Sequence, residues 1–250
     1  MSKVIILGSS NAVPTKEAEN THMVILGKER MLLIDCVSNP IVRLEQAGVD
    51  FNNLTDIIVT HFHPDHASGL PLLLMDMWLL GRKKLLNIYG LHYTIDRVET
   101  MMSLYSWSEW PHFFPVVFYR LPSEEMTSVL SCDDFTVHAS PVQHMIPNIG
   151  LRIKFPNQKV LAYSCDTEPC DEVIRLSTNA DVLIHEATGH SPGHSSAMQA
   201  GEIGSKAEAK KMYLIHYPTG SHERSGLVEE AKSAFDGEVE LAKDFMEIDF

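Results

Sequence analysis

Residues 60–70 read Thr-His-Phe-His-Pro-Asp-His-Ala-Ser-Gly-Leu, directly after the run Asp-Ile-Ile-Val at 56–59. A buried strand therefore ends in His61, His63, Asp65 and His66. Alternation in an extended segment sends His61 and His63 to one side. Pro64 breaks the strand, so Asp65 and His66 fall at the entry to a helix. Four donors fan around one point at the carboxyl end of a strand, where open sheets place their ligands. Imidazole with carboxylate suits zinc there. Four donors from one loop exceed what a single catalytic zinc takes, so the pattern asks for two ions.

Two ions need further donors, and three other strand ends supply them. His144 follows the strand around 135–139, Asp166 closes Lys-Val-Leu-Ala-Tyr-Ser-Cys-Asp (159–166), and His216 ends the run 211–217. A lone His at any of these places is more often structural. The joint pattern of His-x-His-x-Asp-His with three more strand-end donors points to a metal site.

The rest of the chain reads as a mixed fold. Strands are expected at 4–8, 22–27, 31–35, 56–60, 85–90, 135–139, 149–155, 159–164, 181–187 and 211–217. Helices are expected at 40–48, 195–208 and 226–235. A further helix at 67–81 is apolar nearly all round, which predicts full burial. No composition break marks a linker, so 1–250 reads as one domain. The aromatic segment 106–118 reads equally as a lid or as ordinary core filler.

Net charge is −13 with His neutral. That is a poor footprint for a protein that grips a long polyanion such as DNA. The one dense basic cluster, Arg82-Lys83-Lys84, reads as a solvated helix end. Cys36, Cys132, Cys165 and Cys170 lack zinc-ribbon spacing, and Cys165 reads as a packed thiol beside the site. The apolar run after Lys3 is too short for a signal peptide, and no window approaches a spanning helix, so a cytoplasmic protein without membrane contact is expected.

His-Phe-His-Pro-Asp-His, followed by His144, Asp166 and His216 in that order, resembles the metallo-β-lactamase superfamily. Within it, His185-Glu186-Ala187-Thr188 and Gly193-His194-Ser195-Ser196 resemble the HEAT and HST motifs of ribonuclease Z. Gly8–Thr15 and Leu32–Asp35 resemble that branch too, and the likeness runs from residue 4 to about 217. It implies an α/β fold, a four-layer αββα sandwich with its site along one edge. It also implies a ligand set: His61, His63 and His144 on the first zinc, Asp65, His66 and His216 on the second, and Asp166 bridging. Manganese or iron are alternatives that such donors accept. A homodimer is implied as well.

The resemblance implies a hydrolase, most readily a phosphodiesterase with a metal-bridging hydroxide. Asp65 would orient the hydroxide, and Glu186 would hold His194 protonated as proton donor to the leaving group. His190 is a rival to His194, which is preferred because a helix starts directly after it. His185 should point away from the site. His22, His92, His112, His138 and His222 lack ligand context, and of these His92 and His112 are candidates for substrate contact. The interval from His144 to Asp166 leaves room only for two strands and a turn, where ribonuclease Z carries an arm that grips tRNA. The stretch 217–225 also departs from that family's ending. A small phosphodiester is therefore expected as readily as RNA. The alternatives are a thioesterase or lactonase of the same superfamily, or a non-catalytic metal-binding protein. A flavo-diiron centre is disfavoured, because it expects a carboxylate where His63 stands.

Overall fold

A computed structural model describes residues 2–220 and 226–250. The first half runs β1 (Lys3–Gly8), β2 (His22–Leu26), β3 (Met31–Ile34), α1 (Pro40–Gln46), β4 (Asp56–Ile58), α2 (Pro64–Ala67), α3 (Leu70–Leu79), β5 (Leu86–Leu91), α4 (His92–Leu104) and β6 (Val116–Leu121). The second runs β7 (Thr127–Ser131), β8 (Thr136–Val142), β9 (Asn148–Lys154), β10 (Val160–Tyr163), α5 (Asp171–Ser177), β11 (Val182–Glu186), α6 (Ala197–Lys206), β12 (Lys211–Ile215), α7 (Leu227–Lys232), β13 (Glu238–Leu241) and β14 (Glu247–Asp249).

Among the described residues these strands form two sheets, ordered β14-β1-β2-β3-β4-β5-β6 and β13-β12-β11-β10-β9-β8-β7. Each is antiparallel at one end and parallel at the other, from β3 to β6 and from β10 to β13. Alternation explains the layers. Val4 and Ile6 of β1 face the other sheet and meet Val137, Leu151, Ile184 and Ile215. Ile5 and Leu7 face outward, onto a cluster with Leu44, Leu73, Met77, Val98 and Met102 from α1, α3 and α4. On the far side Leu183, Met212 and Leu214 pack against Val173, Ala200, Ile203 and Ala231 of α5, α6 and α7. Both faces of each sheet are covered, so the central strands read as unbroken apolar runs. This is the αββα sandwich that the sequence resemblance implies.

Local chemistry sets the ends. The Asn39 side chain caps α1, which opens on Pro40, and α6 opens on a capping box between Ser196 and Gln199. Gly69 separates α2 from α3. A Cβ there would stand 2.6 Å from the Val37 carbonyl carbon, so only glycine lets this turn lie against the end of β3.

Several expectations need correction. The helix expected at 67–81 is two helices broken at Ser68–Gly69, and Leu72 and Leu79, seven residues apart on one face of α3, are exposed while Leu70, Leu73, Leu74 and Met77 are buried, so only one face of α3 packs on the core. Arg82 is not a solvated helix end. It is buried, and its guanidinium donates to the carbonyls of Asn52, Leu54, Lys84 and Leu85. The aromatic segment packs partly onto the core: Phe114 is buried, Trp107, Trp110, Phe113 and Phe118 lie against the same cluster, and Trp110 stacks on Trp78 with centroids 5.0 Å apart. Helices α4 and α5 and strands β6, β7, β13 and β14 carry no assignment in the sequence reading. No helix among the described residues is long and apolar enough to cross a membrane.

Candidate metal centre

The site lies where the carboxyl ends of strands from both sheets meet. The segment after β4 carries His61 and His63, and Pro64 at the first helical position turns the chain into α2. Asp65 and His66 therefore sit in the first turn of that helix. The second sheet delivers His144 after β8, Asp166 after β10, Glu186 at the end of β11 and His216 after β12.

All seven expected donors converge. His61 Nε2 lies 3.0 Å from His63 Nδ1, and His144 Nε2 lies 3.1 Å from that same atom. A second group gathers Asp65, His66, Asp166 and His216, with donor atoms within 4.8 Å of one another. Asp166 Oδ2 is 3.4 Å from His66 Nε2, 3.4 Å from His216 Nε2 and 3.9 Å from His61 Nε2, so it stands between the groups. His66 and His216 lie 3.6 and 3.4 Å from Asp65 Oδ2.

These spacings fit metal ions. Donors around a tetrahedral zinc with bonds of about 2.0–2.1 Å stand roughly 3.3–3.4 Å apart. Two buried atoms in the centre, His66 Nε2 and Asp166 Oδ1, lack a hydrogen-bond partner among the described residues, which is costly unless a cation takes that place. His, Asp and no thiolate suit zinc, manganese or iron alike.

The nitrogens turned away from the centre are mostly held. His66 Nδ1 meets Asp35 Oδ2 at 2.7 Å, and Thr60 donates to Asp35 through both its N–H and its hydroxyl. His144 Nδ1 donates to the Gly193 carbonyl at 2.7 Å, and His216 Nδ1 pairs with Thr188 Oγ1 at 2.8 Å. His61 Nδ1 pairs with Thr60 Oγ1 at 3.1 Å, and the Cys165 thiol lies 3.8 Å from it. Such partners fix the ring orientation of a metal-binding imidazole. Cys165 is thus a buried thiol behind His61, as expected.

The protein's own charges favour a cation here. Burial works against a charge on His66, yet Asp166 and Asp35 hold its pKa well above the ordinary imidazole value. Burial pushes the Asp166 carboxyl up, but His216 and His66 outweigh it and hold the group well below the carboxylate range. Asp65 is likewise lowered against burial, by the hydrogen bond from His216 and the charge of His66. His61 is pushed well below its ordinary value, first by burial and then by the charge of His66.

Glu186 and His194 meet beside this cluster. His194 Nδ1 is 2.9 Å from Glu186 Oε1, and the buried Glu186 carboxylate also accepts from Thr167 N and Thr188 N. The His194 ring centroid lies 5.0 Å from that of His144 and 5.7 Å from that of His216. Burial lowers the His194 pKa, but Glu186 reverses this and raises it overall. His190 is exposed in the same loop, without a carboxylate partner among the described contacts. His185 points away, its Nδ1 bonded to the Glu186 carbonyl at 2.8 Å. His22 and His138 lie within β2 and β8, and His92 and His112 are exposed outside every donor group among the described residues. His222 lies outside the described residues.

Asp35, Thr60, Thr188 and Gly193 escaped the sequence reading as functional residues. Asp35 had a readable signal, since it closes β3 as Asp166 closes β10. Gly193 had none.

The sequence profile of the family described as Anti-Pycsar protein Apyc1 matches residues 2–239. The chain belongs to this family. The Apyc1-family chain also has curated relatives of another name. It is 27% identical to ribonuclease Z of Picrophilus torridus, over 93% of this chain and 91% of the relative. It is 26% identical to ribonuclease Z of Methanothermobacter thermautotrophicus, over 100% and 97%. Among solved structures, the metallo-β-lactamase fold protein YhfI from Bacillus subtilis matches with a TM-score of 0.83 at 25% identity, over 99% and 98% of the two chains. Human tRNase Z, short form, matches with a TM-score of 0.78 at 26% identity, over 99% and 98%. The fold is that of the metallo-β-lactamase superfamily with ribonuclease Z-like relatives, and with its two donor groups this Apyc1-family chain is a metal-dependent hydrolase.

Proposed function

We propose that this hydrolase is a phosphodiesterase that works with two zinc ions and acts on a small phosphodiester, such as a cyclic nucleotide, rather than on RNA. The His194–Glu186 pair carries this reading. A proton donor poised 2.9 Å from a buried carboxylate, beside both donor groups, suits a leaving oxygen that cannot depart as a free anion. Relatives named ribonuclease Z agree with phosphodiester cleavage. The size follows from charge. Among the described residues, the hollows beside His144 and His194 are lined by Gln143, Met145, Ile146, Glu168, His190 and Pro192, with no Lys or Arg. A polyanion held along this rim would need cations there.

His61, His63 and His144 would hold one ion, Asp65, His66 and His216 the other, and Asp166 both. Two such ions, when bound, neutralise phosphate oxygens and ionise a water near neutral pH. Asp65, kept as carboxylate by His216 and His66, accepts a hydrogen bond from the attacking water and orients its oxygen. His194 gives its Nε2 proton to the leaving oxygen as the P–O bond breaks. Glu186 binds Nδ1, so the ring presents Nε2 outward, and its two backbone N–H bonds stop it from following the proton.

The test offers the zinc- and manganese-loaded protein four substrates: bis-p-nitrophenyl phosphate, a 3′,5′-cyclic nucleotide, a thioester and a lactone. Turnover of both phosphodiesters, with close to two ions per chain, is expected. Turnover of the thioester or lactone alone would move the protein to the other hydrolase classes, and failure to take up metal would end the proposal.

A further inference from the structure

The segment after Asp166 does more than deliver that carboxylate. Thr167 donates its N–H to Glu186 Oε1 at 2.9 Å, and its carbonyl accepts from Ser195 Oγ at 2.7 Å. Glu168 donates its N–H to the Gln143 carbonyl at 2.7 Å and accepts from Gly193 N at 2.8 Å with its side-chain Oε1. Two consecutive residues thus join the turn that carries His144, the end of β11 and the loop that carries His194.

Gly193 is the joint of this assembly. Its φ is +81°, and a Cβ there would stand 2.8 Å from His144 Nδ1 and 3.1 Å from Met145 Cγ. Its carbonyl accepts from His144 Nδ1 at 2.7 Å. The same peptide unit carries the His194 N–H, which donates to the Ser191 carbonyl at 3.1 Å. The peptide unit before it is the one that Glu168 grips. Any drift of this backbone therefore displaces His144 and His194 together.

We propose that Glu168 is a positioning residue, whose hydrogen bond to the Gly193 N–H locks the loop so that His144 stays aimed at the metal centre and His194 stays beside Glu186. This rests on the reading of His144 as a ligand and His194 as the proton donor. A charge-assisted bond from a carboxylate to a backbone N–H is among the stronger hydrogen bonds available to an exposed side chain. Glu168 is itself exposed, so removing it opens no cavity in the core.

The test compares Glu168→Ala with Glu168→Gln, which keeps an acceptor oxygen at the same reach. The first readout needs no turnover: zinc affinity by competition with a chromophoric chelator. Glu168→Ala should weaken one of the two ions by about tenfold, the low end for partners that orient a ligand, and Glu168→Gln should restore most of the loss. The second readout is kinetic. In Glu168→Ala at saturating zinc, kcat for the cyclic nucleotide should fall by roughly tenfold at unchanged KM, while bis-p-nitrophenyl phosphate, whose leaving group needs no proton, is spared. Melting temperatures of the three metal-free proteins should agree. Wild-type zinc affinity and kcat in Glu168→Ala would overturn the proposal. So would equal impairment of both variants, or a rise in KM alone. A zinc defect rescued by Gln in a protein that turns over no phosphodiester would uphold the positioning role and sink the phosphodiesterase reading instead.

Discussion

His194→Ala tests the proposed chemistry most directly. In the folded protein Glu186 accepts three hydrogen bonds, from Thr167 N, Thr188 N and His194 Nδ1. Removing the imidazole leaves two of them, so the buried carboxylate stays satisfied and the fold should lose only about 1.5–3 kcal/mol, the worth of one hydrogen bond to a charged group. The metal donors are untouched. A well-placed general acid contributes about 10²–10⁴ in rate, or roughly 2.7–5.4 kcal/mol of barrier. That loss should appear only where the leaving oxygen needs a proton. The assay is kcat/KM for a 3′,5′-cyclic nucleotide and for bis-p-nitrophenyl phosphate, with metal content measured on the same samples. The cyclic substrate should slow by about 10²–10³ and the aryl diester by less than about tenfold. The wild-type rate on the cyclic substrate should fall as pH rises through the raised His194 pKa, because only the imidazolium donates; that limb should vanish in the variant. Equal losses on the two substrates, or no loss on the cyclic one, would refute the assignment of His194 as proton donor.

Three more outcomes follow from the same geometry. Asp35→Asn puts an amide where both carboxylate oxygens accept hydrogen bonds, so His66 loses its orientation and one ion should bind about 10–100-fold more weakly by chelator titration, the other being spared. Chelation should lower the melting temperature, because ion binding at about a hundredfold over Kd adds roughly 2.7 kcal/mol per site; an unchanged transition would show that the centre binds no metal in the folded state. His22 is buried, and burial lowers its pKa to about 4. The unfolded chain takes up that proton near pH 6.5 and the folded one does not, so stability is full above about 6.5 and falls as pH drops toward 4, by about 3 kcal/mol from this residue. Denaturant titrations across that window should show the wild type losing about 3 kcal/mol relative to His22→Gln as pH falls from about 6.5 to 4, with a constant difference above about pH 6.5.

The metal centre was the most legible part of the chain, and the reason is local. Each donor closes an apolar run, alternation decides its side of the strand, and Pro64 decides where the helix begins. Those signals lie within a few residues of each donor, so the candidate donors were legible in the sequence, while the αββα sandwich was legible through the family resemblance. The sequence could not determine what holds the donors. Asp35 and His66 are 31 positions apart, and His144 and Gly193 are 49 apart. Such pairs form only when the two sheets pack and their loops close over one edge. Strand β14 pairs with β1 across nearly the whole chain, Lys3 against Asp249, with no local signal to announce it. The errors have the same source. Apolar composition around α3 predicts burial all round, although one face of the helix, with Leu72 and Leu79, is exposed. Arg82 looked solvated until the carbonyls that it gathers were brought to it by the fold. Sequence encodes which groups stand at the ends of strands. Only tertiary packing, which pays the entropy of closing long loops, decides which of those groups meet and how rigidly they are held.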